Sequence, residues 1–195
     1  MAPSLSPERG PTLLRLARAA ILEALGGGPP AAPSQPVDDW LAAPGATFVT
    51  LFRREELRGC IGSVRATLPL AEDLRSNAVA AALRDPRFPP LRREECRWVR
   101  IEVSLLSPIE PLGLARTLEE AAAALRAGVD GLVLERLEAR GVFLPQVWSG
   151  APEPVVFLRH LRRKAGLSLD GWDPDTRLYR FTVEKWREPS ISEEL

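Results

Sequence analysis

The chain is poor in the side chains from which most metal and nucleophilic chemistry is built. Its 195 residues include two cysteines, Cys60 and Cys96, one histidine, His160, one methionine and one tyrosine. No zinc quartet of the usual spacing can be assembled from those cysteines and that histidine, and two cysteines cannot hold an iron–sulfur cluster, so no metal or cofactor is expected. The two thiols could close one disulfide, but no secretion signal is expected ahead of them. Glu8 and Arg9 stand where an apolar run would be needed, and Glu23 interrupts the later one. A reducing cytoplasm is the expectation. No apolar run approaches the roughly 20 residues of a membrane helix. Net charge is absent too, with 26 basic residues against 26 acidic ones, which argues against a dedicated nucleic-acid or membrane-surface protein. There is no internal repeat and no glycine-rich phosphate loop. Lysine occurs only at Lys164 and Lys185 while arginine and proline are abundant. Thermal adaptation and a biased genome composition account for that equally well.

What is present centres on Leu57-Arg58-Gly59-Cys60-Ile61-Gly62. Glycine weakens a strand by entropy and lost contacts, so Gly59 and Gly62 around one thiol imply that something approaches this backbone closely. In a regular strand Arg58 and Cys60 share one face and Leu57 and Ile61 the other. One face is then built for core and the other for chemistry.

A chain of this size is expected to fold as a single domain, residues 1–195, with room for a small appended lobe, and to bury roughly 70% of the surface its unfolded form exposes. Apolar residues at helical spacing predict a helix over Thr12–Leu25, followed by a flexible loop over residues 26–36, where glycine, alanine and proline dominate. Ala46–Arg53 and the segment ending at Gly62 read as a hairpin around Arg53-Arg54-Glu55-Glu56. Residues 68–84 read as a helix capped by Thr67 and stopped at Asp85-Pro86, and a proline-stiffened turn then presents Arg87 and Phe88. Arg97–Leu106 alternates as a half-buried strand, with Val99, Ile101, Val103 and Leu105 on one face. Thr117 and Glu120 form a capping box for a short helix that Gly128 stops. Strands follow at Gly131–Leu137 and Gly141–Leu144, then a helix from Pro154 to Gly166, then a last strand over Leu178–Trp186. Strands joined by hairpin-length turns with helices between groups give α+β, mainly antiparallel sheet flanked by helices.

The hexapeptide, together with Phe48-Val49-Thr50-Leu51 ahead of it, resembles the signature of the AMMECR domain family. Asp85-Pro86-Arg87-Phe88-Pro89-Pro90-Leu91, Ile101-Glu102-Val103-Ser104-Leu105-Leu106-Ser107-Pro108, Phe143-Leu144-Pro145-Gln146-Val147, Lys164-Ala165-Gly166-Leu167 and Leu178-Tyr179-Arg180-Phe181 are similar to its other blocks, in its order. The resemblance runs from Phe48 to Trp186. It implies a larger and a smaller lobe around a cleft. It also implies a place beside Memo-like and radical SAM proteins in a shared modification pathway, with the iron–sulfur and radical chemistry in that partner. Asp130 departs from the family pattern, which carries histidine there in many members.

Each candidate residue has two readings. Cys60 is either a small buried hydrophobe or a reactive thiol, and an adjacent guanidinium favours the thiolate where the two lie together. Cys96 reads as structural. Arg58 is the cation expected beside Cys60, while Arg87 either holds an anionic ligand or pins its own loop. Glu102 and Ser104 line a site if their strand face meets the cleft, and are ordinary surface residues otherwise. Gln146 either turns its amide into the cleft or packs a loop. His160, among Arg159, Arg162, Arg163 and Lys164, reads as a solvated basic face before it reads as a phosphate-binding one. The functions in play are an enzyme or the substrate-holding component of one, acting on a small molecule or peptide; a non-catalytic binding scaffold; and, disfavoured by the zero charge, a nucleic-acid-associated factor.

Overall fold

The computed structural model describes residues 8–26, 39–169 and 171–190. It shows an α+β chain whose antiparallel sheets are flanked by helices and which divides into two compact units. The larger runs to Leu106 and resumes at Glu184, and the smaller is Ser107–Val183. Most of the expected loop lies outside the described residues. Its first member, Gly26, takes φ 80° after the first helix, a conformation glycine adopts at little cost.

In the larger unit, α1 (Arg9–Ala24) and α2 (Asp39–Ala42) precede β1 (Pro44–Gly45), β2 (Thr47–Arg53), β3 (Glu56–Gly62), β4 (Leu68–Pro69), α3 (Leu70–Leu83) and β5 (Val99–Leu106). The last strand of the chain, β10 (Val183–Arg187), completes a four-stranded sheet ordered β10-β5-β2-β3. The odd-numbered residues of the central strands, Val49, Leu51, Ile101 and Val103, are buried with Leu13, Ala17 and Ile21 of α1 and Leu74, Ala78 and Ala81 of α3. Period-2 burial in the strands thus meets period-3.6 burial in the helices. Thr67 does not cap α3. Leu68 and Pro69 pair with β1 instead, and the helix begins after them with Pro69 at the cap position. A buried polar knot fixes that end of the sheet. The Asp73 carboxylate accepts from the Thr47 amide at 2.8 Å, the Thr47 hydroxyl at 2.7 Å, Asn77 at 3.0 Å and the Ser63 hydroxyl. Four donors meet the needs of a carboxylate that burial would otherwise make costly.

The smaller unit contains β6 (Glu110–Pro111), α4 (Leu118–Ala123), β7 (Gly131–Arg136), β8 (Ala139–Phe143), α5 (Pro154–Lys164) and β9 (Arg177–Phe181), with its sheet ordered β6-β9-β7-β8. Its core joins Leu132, Leu134 and Leu178 to Phe157, Leu158 and Leu161 of α5, and Trp148 stacks on Phe157 at 3.8 Å between ring centres. The capping box is half formed. Thr117 Oγ1 accepts from the Glu120 amide at 3.1 Å, but the Glu120 carboxylate accepts from the Arg116 amide, one residue short of the cap. Gly128, with φ 77°, turns the chain after α4 has already ended.

The expected final strand is in fact two. Thr182 breaks it, because its carbonyl accepts from the Ser107 amide at 2.9 Å and its own amide donates to the Ser107 hydroxyl at 2.9 Å. With both groups of Thr182 committed to Ser107, β9 ends in the smaller unit and β10 starts afresh.

Candidate functional site

The geometry of the thiol follows from the β2–β3 register. Thr50 pairs with Cys60 on one side and with Glu102 on the other, so the three lie in a row across one face of the sheet. Phe48, Gly62 and Ser104 form the next row on the same face. Cys60 is half-buried, and the Thr50 hydroxyl lies 3.3 Å from its Sγ, donating toward it. The opposite face belongs to the core.

A bulge alters the expected alternation. Leu51 pairs with Gly59 but Phe52 pairs with Leu57, so Arg58 is the extra residue. Leu57 therefore joins the Cys60 face, where it is exposed, while Ile61 alone keeps to the core side. The Arg58 guanidinium is spent elsewhere. It donates to the Pro89 carbonyl at 2.9 Å and reaches Glu95 at 3.3–3.4 Å. Burial works against the Glu95 charge, yet the Arg92 amide and the Arg58 and Arg53 guanidinia outweigh it and hold that carboxyl below its ordinary range. An open pocket of about 390 Å³ lies at this end of the hairpin, lined by Arg53, Arg54, Glu56, Leu57 and Arg58.

The cation the structure sets on Cys60 is Arg87. Its Nη2 donates to the Cys60 carbonyl at 3.2 Å and to Asp85 Oδ2 at 2.7 Å, while its Nε donates to Asp85 Oδ1 at 2.9 Å. Asp85 Oδ2 also accepts the Cys60 amide at 2.8 Å. Both main-chain groups of Cys60 are turned to the open side of β3, the edge of its sheet, and this acid–base pair serves them. Asp85 is only 4% exposed, and the hydrogen bonds from Arg87, joined by those from the Cys60 and Arg87 amides, hold its carboxyl far below the usual carboxylate range against the effect of burial. Asp85 in turn raises the Arg87 guanidinium above its ordinary value, and the Cys60 side chain adds in the same direction. The Arg87 side chain remains 54% exposed.

The two glycines have packing reasons. A Cβ on Gly59 would lie 2.2 Å from the Ala81 carbonyl oxygen of α3, and one on Gly62 would lie 2.2 Å from the Phe48 ring. What approaches the backbone closely is this chain's own helix and its own phenylalanine. Glu102 is paired with Arg187 at 2.8 Å and with Lys185 at 3.9 Å on β10, and Ser104 is buried. Gln146 is an exposed residue of the turn Pro145–Ser149 in the smaller unit. Cys96 is buried, and burial pushes its thiol up. Asp130, fully buried, accepts from Arg126 at 2.6 and 2.9 Å, an arginine–carboxylate pair. The basic run on α5 is not uniformly a solvated face. Arg162 is 1% exposed, donating to the Ser168 carbonyl at 2.9 Å and to Asp173 at 3.3 Å, while Arg159, His160, Arg163 and Lys164 remain exposed.

Sequence reasoning missed Asp85 and Thr50. Asp85 read as a helix stop before proline, and no spacing rule links it to an amide 25 residues earlier. Thr50 would have been found by pairing the hairpin, since a residue opposite a cysteine shares its face.

An α+β chain of two antiparallel sheets, with a half-buried thiol on an edge strand clamped by an acid–base pair, defines the class. The AMMECR1 family model matches residues 14–186, and the chain belongs to that family. It is 41% identical over 188 residues to a protein of Methanothermobacter thermautotrophicus, covering 94% of this chain and 96% of that one. It is 41% identical over 190 residues to a protein of Thermococcus gammatolerans, covering 93% and 91%. Among solved structures, the crystal structure of Uncharacterized Protein PH0010 from Pyrococcus horikoshii matches with a TM-score of 0.82 and 38% identity, covering 94% of this chain and 93% of that one.

Proposed function

We propose that the Cys60 face is a ligand-handling centre and that the chain is an enzyme, or the substrate-holding component of one, with Cys60 as the reacting or anchoring thiol. The observation that carries this reading is the placement of Cys60. A half-buried sulfur lies on a sheet edge, with a buried carboxylate and a half-exposed guanidinium fixed to its own main chain, where a core cysteine needs neither. Arg87 supplies a hydrogen-bonding cation fixed to the Cys60 carbonyl, and Thr50 orients the thiol by donating to it. Reading the chain as one member of a modification pathway, with a Memo-like protein and a radical SAM protein as partners, rests on the family resemblance. In that reading the cluster chemistry belongs to the radical SAM partner, because this chain has only two cysteines.

Alkylation of the folded protein with neutral iodoacetamide, followed by peptide mass mapping, tests the centre. Cys60 labels in the native state, and Cys96 labels only on unfolding. Labelling of both thiols only after denaturation would overturn the reading. Co-purification with the two partners then tests the pathway, and Cys60→Ser is expected to leave assembly intact while abolishing product.

A further inference from the structure

We infer that the ligand handled at Cys60 carries an anionic oxygen group, a carboxylate or a phosphate, and that Arg87 reads it while Asp85 acts as the positioning residue. This rests on the reading of Cys60 as a ligand-accessible thiol and adds the chemistry of what arrives there.

A guanidinium has five N–H donors in a fixed plane. For Arg87, Asp85 takes the Nε donor and one Nη2 donor, and the Cys60 carbonyl takes the other Nη2 donor. The two donors on Nη1 meet no nitrogen or oxygen partner among the described residues, and the Cys60 side chain is the other group that acts on this guanidinium. Such an outer edge, on a side chain 54% exposed, offers a charged N–H donor to a single oxygen of a carboxylate or phosphate, since the fork itself is taken up by Asp85.

The inner edge is what makes the outer one a reader of position. Free arginine side chains sample many rotamers, and ordering one costs entropy. Here Asp85 has already met that cost. It is buried, fixed by the Cys60 amide at 2.8 Å and the Arg87 amide at 3.1 Å, and grips Arg87 on two atoms. Pro86 on one side and Pro89 and Pro90 on the other stiffen the loop, and its far end is tied by the Leu91 amide to the Ala82 carbonyl at 2.8 Å. The guanidinium is therefore held in register with the one strand residue that carries the thiol. Carboxylates on neighbouring elements do not compete for it. Glu102 on the same face is neutralised by Arg187 and Lys185, and Glu95 is occupied by Arg58 and Arg53.

The test compares two alkylating agents that differ in charge, iodoacetate and iodoacetamide, on Cys60 of the full chain. The ratio of their second-order rates is read against the same ratio for a short cysteine peptide. The expected ratio for Cys60 exceeds the peptide's by about threefold to fivefold, the size of one exposed charge-assisted contact. Arg87→Gln returns it to the peptide value, and Arg87→Lys restores only part, having the charge without the two-nitrogen grip by which Asp85 positions it. Asp85→Asn, which loosens the grip but leaves the cation, lowers the ratio while adding dependence on salt. Protection of wild-type Cys60 from iodoacetamide by inorganic phosphate or by acetate separates the two anion classes, and this arm needs no variant. A ratio equal to the peptide's together with no protection by either anion would overturn the inference. If iodoacetamide itself fails to reach Cys60, it is the thiol reading that falls.

Discussion

Gly59 and Asp85 show how much of this site is decided by single atoms. Gly59 sits where α3 crosses β3, and a methyl group there would be 2.2 Å from a helix carbonyl, with backbone on both sides of the contact. Neither partner can yield cheaply, so Gly59→Ala is expected to cost about 1–3 kcal/mol of overpacking, read as a lower urea midpoint at unchanged slope. Asp85 makes a prediction in pH. Its folded-state pKa is depressed, chiefly by the hydrogen bonds from Arg87, so its contribution to stability is fully present above the unfolded value near 4 and drains away as pH falls below it. Urea midpoints measured between about pH 7 and pH 2 should therefore fall on the acid side for the wild type. They should fall less steeply for Asp85→Asn, which starts lower at pH 7. Equal acid limbs would show that the carboxylate is not held as the geometry says. Cys60, Arg58, Arg87 and the two glycines were legible in the sequence as a cluster of unusual residues, but their division of labour was not. Which arginine meets the thiol depends on a bulge and on a loop contact across 27 residues, and neither leaves a mark in residue spacing.

At the level of elements, long periodic segments were readable and their ends were not. Helix α1, strands β2 and β5, and helix α5 follow from apolar spacing, because burial on one face requires that spacing. The start of α3 and the division between β9 and β10 were set instead by partners distant in sequence, β1 in one case and Ser107 in the other. Turn chemistry was equally hidden. Both main hairpins reverse through residues with positive φ that are not glycine: Arg54 at 50° and Glu55 at 64° in the first, and Leu137 at 50° in the second. Glu55 is held by ion pairs to Arg100 and Arg187, which gives its strain a counterweight. Leu137 is 84% exposed and gains little from packing. An L-residue in the left-handed region costs about 1–2 kcal/mol that glycine does not incur, offset in part by glycine's greater freedom when unfolded. Leu137→Gly is accordingly expected to raise the stability of the smaller unit by about 0.5–1 kcal/mol, measured as protection of β7 and β8 amides in native-state hydrogen exchange. A loss of protection would mean that the leucine makes a contact worth more than its strain.

For the whole molecule, the ordering of the chain matters more than any one element. The larger unit is interrupted after Leu106 and is completed only when the chain returns at Glu184, so its sheet depends on residues from both ends of the sequence. Glu188 is where those ends are fastened. Its carboxylate accepts from Arg18 Nε at 3.0 Å, from Arg18 Nη2 and from the Ile101 amide at 2.8 Å, while its own amide donates to the Ile101 carbonyl at 2.9 Å. Arg18 continues the connection to the carbonyls of Cys96 and Val99 at 2.9 and 2.7 Å, and the Trp186 ring fills the space above Gly10. One carboxylate thus joins α1, β5 and the end of β10. Removing one partner of a fully buried pair costs about 3–5 kcal/mol, but these side chains are 25% and 20% exposed, so water offsets part of the loss and Glu188→Ala should cost about 1–3 kcal/mol. The cost should fall on one unit only. Hydrogen exchange is expected to quicken for the amides of α1 and β5 while those of β7 and β8, inside Ser107–Val183, keep their wild-type rates. Equal quickening in both would show that the two units unfold as one, and that the return of the chain at Glu184 joins them energetically as well as covalently.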